Sequence, residues 1–239
     1  DFWSSGSTYT GFNVYEGSSN NNFVSVSRLL TESGSSVSYY PADVGDSDND
    51  GKKELLTYGR TCFLNMSVCA ENNNHIRLYE ASSNNTYPSI KSWDVVTGWW
   101  TVGARIDDMD NDGKKEISFA GQDANSEDKI QVFENTGDNS YNLVWSTTLA
   151  DVRISQCFDT MNDLDGDGKK EMVFGGIVPS ADGKAWLRLY ENTGDNSFSE
   201  VWSYDFLYSD GQSINCAKVV YAGDMDNDGK KEFVAGGKK

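Results

Sequence analysis

Residues 45–56 read GDSDNDGKKELL, with Asp46, Asp48, Asp50 and Glu54 crowded into nine positions. Four like charges so close repel one another unless a cation sits among them. The stretch returns as DDMDNDGKKEIS from Asp107, NDLDGDGKKEMV from Asn162 and GDMDNDGKKEFV from Gly223. Counted from Asp46, Asp108, Asp163 and Asp224, the loops lie 62, 55 and 61 residues apart. That recurrence makes the acidic loop the period of the fold.

A second unit repeats between the loops. It reads FNVYEGSSNNNFVSVSRL from Phe12, IRLYEASSNNTYPSIKSW from Ile76, IQVFENTGDNSYNLVWST from Ile130 and LRLYENTGDNSFSEVWSY from Leu187. An aromatic stands at Tyr15, Tyr79, Phe133 and Tyr190, each followed by Glu, and a second aromatic comes eight residues later at Phe23, Tyr87, Tyr141 and Phe198. Short runs of alternating apolar and polar residues flank Gly/Asn/Asp turns, so each unit reads as a β-hairpin. The acidic loops likewise join two strands, and no segment sustains a helical period. Each repeat is thus about four strands, as in a propeller blade.

The expected fold is an all-β propeller of one domain. It has a half-blade at 1–30, blades near 37–95, 99–149 and 152–207, and a closing half-blade at 213–239. Pairing residues 9–30 with 217–237 would complete a fourth blade and remove the exposed edges. The competing arrangements are an excerpt from a longer array and a partial ring completed by another chain.

The loop chemistry points to calcium, which takes six to eight hard oxygen ligands. Alternate residues Asp46, Asp48 and Asp50 can aim carboxylates at one point. Gly51 permits the turn, the Lys52 carbonyl can ligate with its side chain left in solvent, and Glu54 closes the shell. The equivalent sets are Asp108, Asp110, Asp112, Lys114 and Glu116; Asp163, Asp165, Asp167, Lys169 and Glu171; and Asp224, Asp226, Asp228, Lys230 and Glu232. About four Ca2+ per chain are expected, one per loop. These are not EF-hands, because the closing acid stands at position nine rather than twelve and a strand follows directly.

With its D-x-D-x-D-G-x-x-[DE] loops, the hairpins they join, FGG and AGG after the last two loops and the YENTGDNSF turns, the sequence resembles FG-GAP or VCBS-type repeats, related to the propeller blades of integrin α-subunits. The resemblance covers almost the whole chain. It implies a β-propeller with calcium in the loops, working in adhesion, recognition or scaffolding. Many members of the family have seven blades where four are visible here, and the Gly-Ala-Pro half of the family name is missing.

Composition bounds the remainder. The 239 residues carry a formal net charge of −17. Such a surface disfavours nucleic acid and anionic membranes, which are bound through Lys and Arg, and no apolar run is long enough to cross a bilayer. The chain opens at Asp1, as a processed N-terminus or an arbitrary boundary would give. Secretion is expected, because loops of this kind suit the millimolar calcium outside cells and because Asn65 and Asn84 begin glycosylation sequons. Cys62 and Cys69 bracket a loop that a local disulfide could close. Cys157 and Cys216 stand shortly before their acidic loops and could pair within or between chains.

His75 is the single histidine, it lies in an expected solvated loop, and most patterned acids are assigned to metal, so a non-enzymatic chain is expected. The function expected is a secreted structural or adhesive module, possible as a self-assembling filament or matrix subunit. The alternative is a lectin-like carbohydrate-binding module using Trp99, Trp100, Tyr39 and Tyr40. Expected partners are accordingly further copies of the chain or an extracellular protein or glycan.

Overall fold

The computed structural model describes residues 9–33, 38–60, 74–88, 91–98, 101–123, 125, 127–149, 153–161, 163–177, 185–206, 215–220 and 223–238. Among these residues the regular elements are all strands, in five antiparallel sheets. A hairpin of β1 (Tyr9–Ser19) and β2 (Asn22–Ser33) comes first. Three four-stranded meanders follow. The first contains β3 (Ser38–Gly45), β4 (Glu54–Arg60), β5 (Asn74–Glu80) and β6 (Trp93–Val96). The second contains β7 (Thr101–Asp107), β8 (Glu116–Gln122), β9 (Asp128–Gly137) and β10 (Ser140–Thr148). The third contains β11 (Arg153–Met161), β12 (Glu171–Ile177), β13 (Ala185–Gly194) and β14 (Ser197–Phe206). A hairpin of β15 (Asn215–Val220) and β16 (Val234–Lys238) comes last.

The repeated sequence sets a repeated register. The Glu that closes each acidic loop faces the Glu of the next strand: Glu54 opposite Glu80, Glu116 opposite Glu134, and Glu171 opposite Glu191. Successive side chains of a strand point to opposite faces, and here both faces of the middle strands are covered. In β8, residues 116–121 are all buried. Ile117 and Phe119 pack toward the preceding sheet with Leu56, Ile76, Leu78 and Ala104. Ala120 packs the other way, in a cluster with Ile154, Phe158, Phe174 and Trp186. The core therefore lies between sheets. Fully buried Phe119, Phe174 and Trp186 each contribute about 2–3 kcal/mol of apolar burial.

Close approach along the first strands needs a glycine. A Cβ on Gly103 of β7 would sit 3.3 Å from the Phe158 carbonyl oxygen of β11. Farther out, a tryptophan seals each seam. Trp93 lies edge-on to Phe133 and Tyr141 of the following sheet, at centroid distances of 5.4 and 5.2 Å. Trp145 repeats this against Tyr190 and Phe198, at 5.8 and 5.2 Å. The paired aromatics of the sequence repeat are therefore the receiving half of a seam between sheets.

The end hairpins stand as two separate two-stranded sheets. The expected fourth sheet, with residues 9–30 paired to 217–237, is not formed by the described residues. What the structure establishes is an all-β array of four-stranded antiparallel sheets.

Candidate metal centres

Each acidic loop spans the first two strands of its sheet, and two left-handed backbone positions bend it. Asn49, Asn111 and Asn227 have φ near +62°, and Gly166 takes that place in the third loop at +84°. Two residues on, Gly51, Gly113, Gly168 and Gly229 have φ of 90 to 93°. Glycine bears this conformation without a Cβ clash, and Asn tolerates it better than other residues do.

Those bends aim the carboxylates. In the first loop Asp46, Asp48 and Glu54 bring oxygens within 4.8 Å of one another. Asp46 Oδ2 accepts from the Gly51 N–H at 3.0 Å, and Glu54 Oε2 accepts from the Ser47 N–H at 2.6 Å. The other oxygens, Asp46 Oδ1 and Glu54 Oε1, are buried and accept no hydrogen bond. In the second loop Asp108, Asp110 and Glu116 converge in the same way. The Gly113 and Met109 N–H groups hold one oxygen each, leaving Asp108 Oδ1 and Glu116 Oε1 buried and bare. The third loop gathers Asp163, Asp165, Asp167 and Glu171, with Glu171 Oε1 bare. In the fourth, Glu232 accepts from the Met225 N–H at 2.8 Å and Asp224 from the Gly229 N–H at 2.9 Å, while Asp226 accepts from the Asp228 N–H at 3.1 Å and Lys230 donates its N–H to Asp228 at 2.9 Å.

Leaving a carboxylate oxygen buried without a partner is costly. Here such oxygens cluster, and each belongs to a side chain already oriented through its other oxygen. Burial, with the neighbouring aspartates adding to it, raises the Glu54 carboxyl, lifts Glu116 to about 8 and lifts Glu171 to about 7, against the backbone N–H bonds that pull the other way. Among the described residues none of the three has an ion-pair partner. Hard oxygens converging in this way fit a calcium ion.

The third aspartate behaves differently from expectation in two loops. Asp50 converges with Asp48, Glu80 and Asp138 rather than with Asp46 and Glu54, and both third aspartates turn toward lysine, Asp50 to Lys52 at 2.7 Å and Asp112 to Lys114 at 3.2 Å. The lysine side chains stay largely exposed, as expected, and also form ion pairs. Lys52 also binds Glu80, Lys114 binds Glu134 and Lys169 binds Glu191, each at 2.7 Å. The following lysine reaches the preceding loop: Lys170 donates to the Asp108 carbonyl at 2.8 Å, and Lys231 to that of Asp163 at 2.6 Å.

Two residue types that the sequence reading left unassigned complete this layer. Asn139, in the turn of the second full sheet, donates its backbone N–H to Asp48 of the first at 2.8 Å and its side-chain amide to Glu80 at 2.5 Å. Asn196 repeats this one sheet later, on Asp110 and Glu134, both at 2.8 Å. Asn85 donates to Glu16 of the first hairpin at 3.0 Å. The signal was in the sequence, as a Glu after every first aromatic and an Asn in every turn.

The other expected sites fare unevenly. Tyr39 is buried with Phe12, Leu55 and Tyr79 and has Arg77 over its ring at 4.7 Å, so it is a core residue and not a ligand platform. Tyr40 is exposed, its ring tilted against Tyr58. Asn84 is exposed in its turn. Cys62, Asn65, Cys69, Trp99 and Trp100 lie outside the described residues, as do the side chains of Cys157 and Cys216. His75 is not a solvated loop residue. It is buried on β5, with Nδ1 2.8 Å from Asp94 Oδ1.

Each of the four-stranded antiparallel sheets carries an acidic loop between its first and second strands. Residues 163–235, from the third acidic loop into β16, match the model of the FG-GAP-like repeat. No curated protein matches the chain in sequence. Solved structures that share the fold include three rhamnogalacturonan lyases. Rhamnogalacturonan lyase YesW superposes with a TM-score of 0.56 at 17% identity, over 85% of this chain and 41% of its own. The Bacillus licheniformis rhamnogalacturonan lyase PL11 gives 0.57 at 17%, over 84% and 40%. The exotype rhamnogalacturonan lyase YesX gives 0.57 at 16%, over 84% and 39%. This chain thus spans about two-fifths of each of those proteins. The likeness overturns the expectation of a non-enzymatic chain, since the shared architecture is that of enzymes and a shortage of histidine does not exclude catalysis on it.

Proposed function

We propose that this chain is a calcium-clamped β-propeller array, acting outside cells as a structural or adhesive module. In this reading the four-stranded sheets are blades, and the fourth blade combines a β1–β2 hairpin with a β15–β16 hairpin. One ion sits in each acidic loop, where it supplies the positive charge that the carboxylates lack. The observation that carries the reading is the set of buried, bare oxygens on Asp46, Glu54, Asp108, Glu116 and Glu171. An ion bound only by the folded loops adds its binding free energy to folding. The loops are tied to their neighbours by Lys170, Lys231, Asn139 and Asn196, so that stabilisation acts on the seams between sheets as well as on single hairpins.

Thermal unfolding with excess calcium and with EGTA tests this. Millimolar calcium should raise the midpoint by roughly ten degrees or more, as expected for several sites well above their dissociation constants. A midpoint indifferent to EGTA would overturn the proposal.

A second reading, polysaccharide recognition, is favoured by the likeness to rhamnogalacturonan lyases. Calorimetric titration with rhamnogalacturonan fragments tests binding, and ultraviolet absorbance of an unsaturated uronide product tests cleavage. Neither heat nor absorbance would remove this reading and leave the first intact.

A further inference from the structure

Of the aromatics expected to hold a ligand, Tyr40 is the one that the described residues leave exposed, at 54%. It stands on β3 just before a β-bulge. Pro41 pairs with Thr57 and Asp43 with Leu56, so Ala42 is the extra residue. A bulge bends its strand and re-aims the side chains beside it. The Tyr40 ring tilts against that of Tyr58 on β4, with centroids 5.6 Å apart.

Two charged groups from the next two sheets meet this pair. Gly103 lets β7 come close to Phe158 of β11, and Arg105, farther along β7, spans the gap. Its Nε donates to Asp159 Oδ1 at 2.7 Å, and its Nη1 donates to the carbonyls of Ala42 at 3.3 Å and Ala104 at 2.9 Å. Burial and Tyr40 raise the Tyr58 hydroxyl and the Arg105 charge opposes them, so the guanidinium lies near the tyrosine pair. Asp43 Oδ2 accepts from the Ile106 N–H at 3.0 Å and pins β3 to β7. The first strands of three sheets thus bring Tyr40, Arg105 and Asp159 into one constellation.

That constellation is held in place yet incompletely used. A guanidinium has five N–H donors, and the two on Arg105 Nη2 bond no described residue. Asp159 Oδ1 accepts from Arg105 and from the Thr160 N–H at 3.0 Å, while Oδ2 accepts from no described residue. Both side chains reach solvent, at 30% and 15% exposure. A free donor edge and a free acceptor in one ion pair match adjacent sugar hydroxyls, since each hydroxyl both donates and accepts. An open tyrosine face matches the C–H face of a pyranose, because the ring face is electron-rich and apolar. The Arg105 charge is already compensated by Asp159, so a carboxylate would gain little from the guanidinium and would meet the second oxygen of Asp159.

We propose that Tyr40, Arg105 and Asp159 form a binding site for an uncharged pyranose unit of a polysaccharide. The sugar lies on the Tyr40 ring, and adjacent hydroxyls take the Arg105 Nη2 donors and the Asp159 Oδ2 acceptor. The proposal rests on the polysaccharide reading above and names the kind of unit recognised. It follows the usual plan of a ligand site, an aromatic surface with a few placed polar groups.

Saturation-transfer NMR and calorimetric titration of the calcium-loaded chain with methyl α-rhamnopyranoside, methyl β-galactopyranoside and sodium galacturonate test this. At least one neutral glycoside should take up saturation at its C–H protons and bind in roughly the millimolar range, with galacturonate several-fold weaker. Tyr40→Ala, at an exposed ring, should fold and weaken binding ten-fold or more, whereas Tyr40→Trp, which keeps an aromatic face, should bind at least as well as wild type. Arg105→Lys keeps a charge for Asp159 and removes the free Nη2 edge, so it too should weaken binding ten-fold or more. No saturation of either neutral glycoside overturns the proposal. So does a preference for galacturonate, and so does binding that Tyr40→Ala and Arg105→Lys both leave unchanged. Rhamnogalacturonan fragments that bind wild type and both variants alike would remove this site and leave the polysaccharide reading standing.

Discussion

Glu116 is oriented by the Met109 N–H and faces Asp108 and Asp110 with a bare buried oxygen. Its charge serves the loop only when a cation is present. Glu116→Gln should therefore act in opposite directions in the two states. In EGTA it removes a carboxyl that burial and neighbouring aspartates lift to about 8, so that folding near neutral pH must either protonate it or bury its charge. It keeps an acceptor for Met109, and the calcium-free chain should gain about 1–3 kcal/mol. In calcium it removes a charged ligand, and the midpoint should fall below wild type. Urea unfolding with EGTA and with calcium checks this, and a loss of stability in both would mean the carboxylate is held by protein contacts alone.

Asp94 is the opposite case. Burial pushes its carboxyl up, but hydrogen bonds from His75 and Lys91, with the charges of His75 and Arg77, outweigh burial and hold it down to about 2. A depressed acid contributes stability that is full above its unfolded value near 4 and is lost as pH falls through about 2. Asp94→Asn should cost about 2–4 kcal/mol at pH 7, because it leaves Arg77 buried beside a neutral group. The gap from wild type should shrink between pH 4 and pH 2, measured by urea unfolding in EGTA so that calcium release does not intrude. A gap constant over that range would assign the cost to packing.

At the scale of elements, Asn139 ties two sheets. Its φ of 49° and its amide bond to Glu80 can be separated by substitution. Asn139→Gly keeps the turn conformation and loses the bond, at about 1 kcal/mol. Asn139→Ala loses both, at about 2–3 kcal/mol. Equal costs in urea unfolding would show that the bond, not the backbone, decides.

The elements were largely legible in the sequence because a hairpin declares itself within a few residues. The alternation around TGDNS and the spacing of Tyr79 to Tyr87 or Phe133 to Tyr141 are local. So is the alternation of acids in a loop. What sits across a seam is not local. Lys52 reads as an unpaired exposed side chain until Glu80 is brought beside it by sheet pairing, and Asn139 reads as turn chemistry until Asp48 and Glu80 arrive from another sheet. Tyr39 and His75 depart from expectation for the same reason. An aromatic pair before a loop and a histidine after a run of Asn look solvent-facing, whereas the stacking of sheets encloses both.

At the scale of the molecule, the acidic loops and turn acids share one end of the array, where Asn139 of one sheet reaches Asp48 of another. Much of the formal charge of −17 is therefore concentrated and not spread. Four divalent ions would bring that charge to −9, and would do so where the repulsion is greatest. The calcium-free chain should then depend strongly on ionic strength. Raising NaCl from about 10 mM to about 0.5 M shortens the screening length from roughly 30 Å to a few Å, which weakens repulsion between successive loops and stabilises the fold. In EGTA the melting point should rise by several degrees over that range. With saturating calcium the loops are already compensated, so the same salt should shift it much less. A calcium-free chain that is destabilised by salt would mean that attractive bridges such as Lys52–Glu80 and Lys169–Glu191 outweigh the repulsion among the carboxylates. The lysines alone would then hold the seams, and calcium would be an addition to an array that already stands without it.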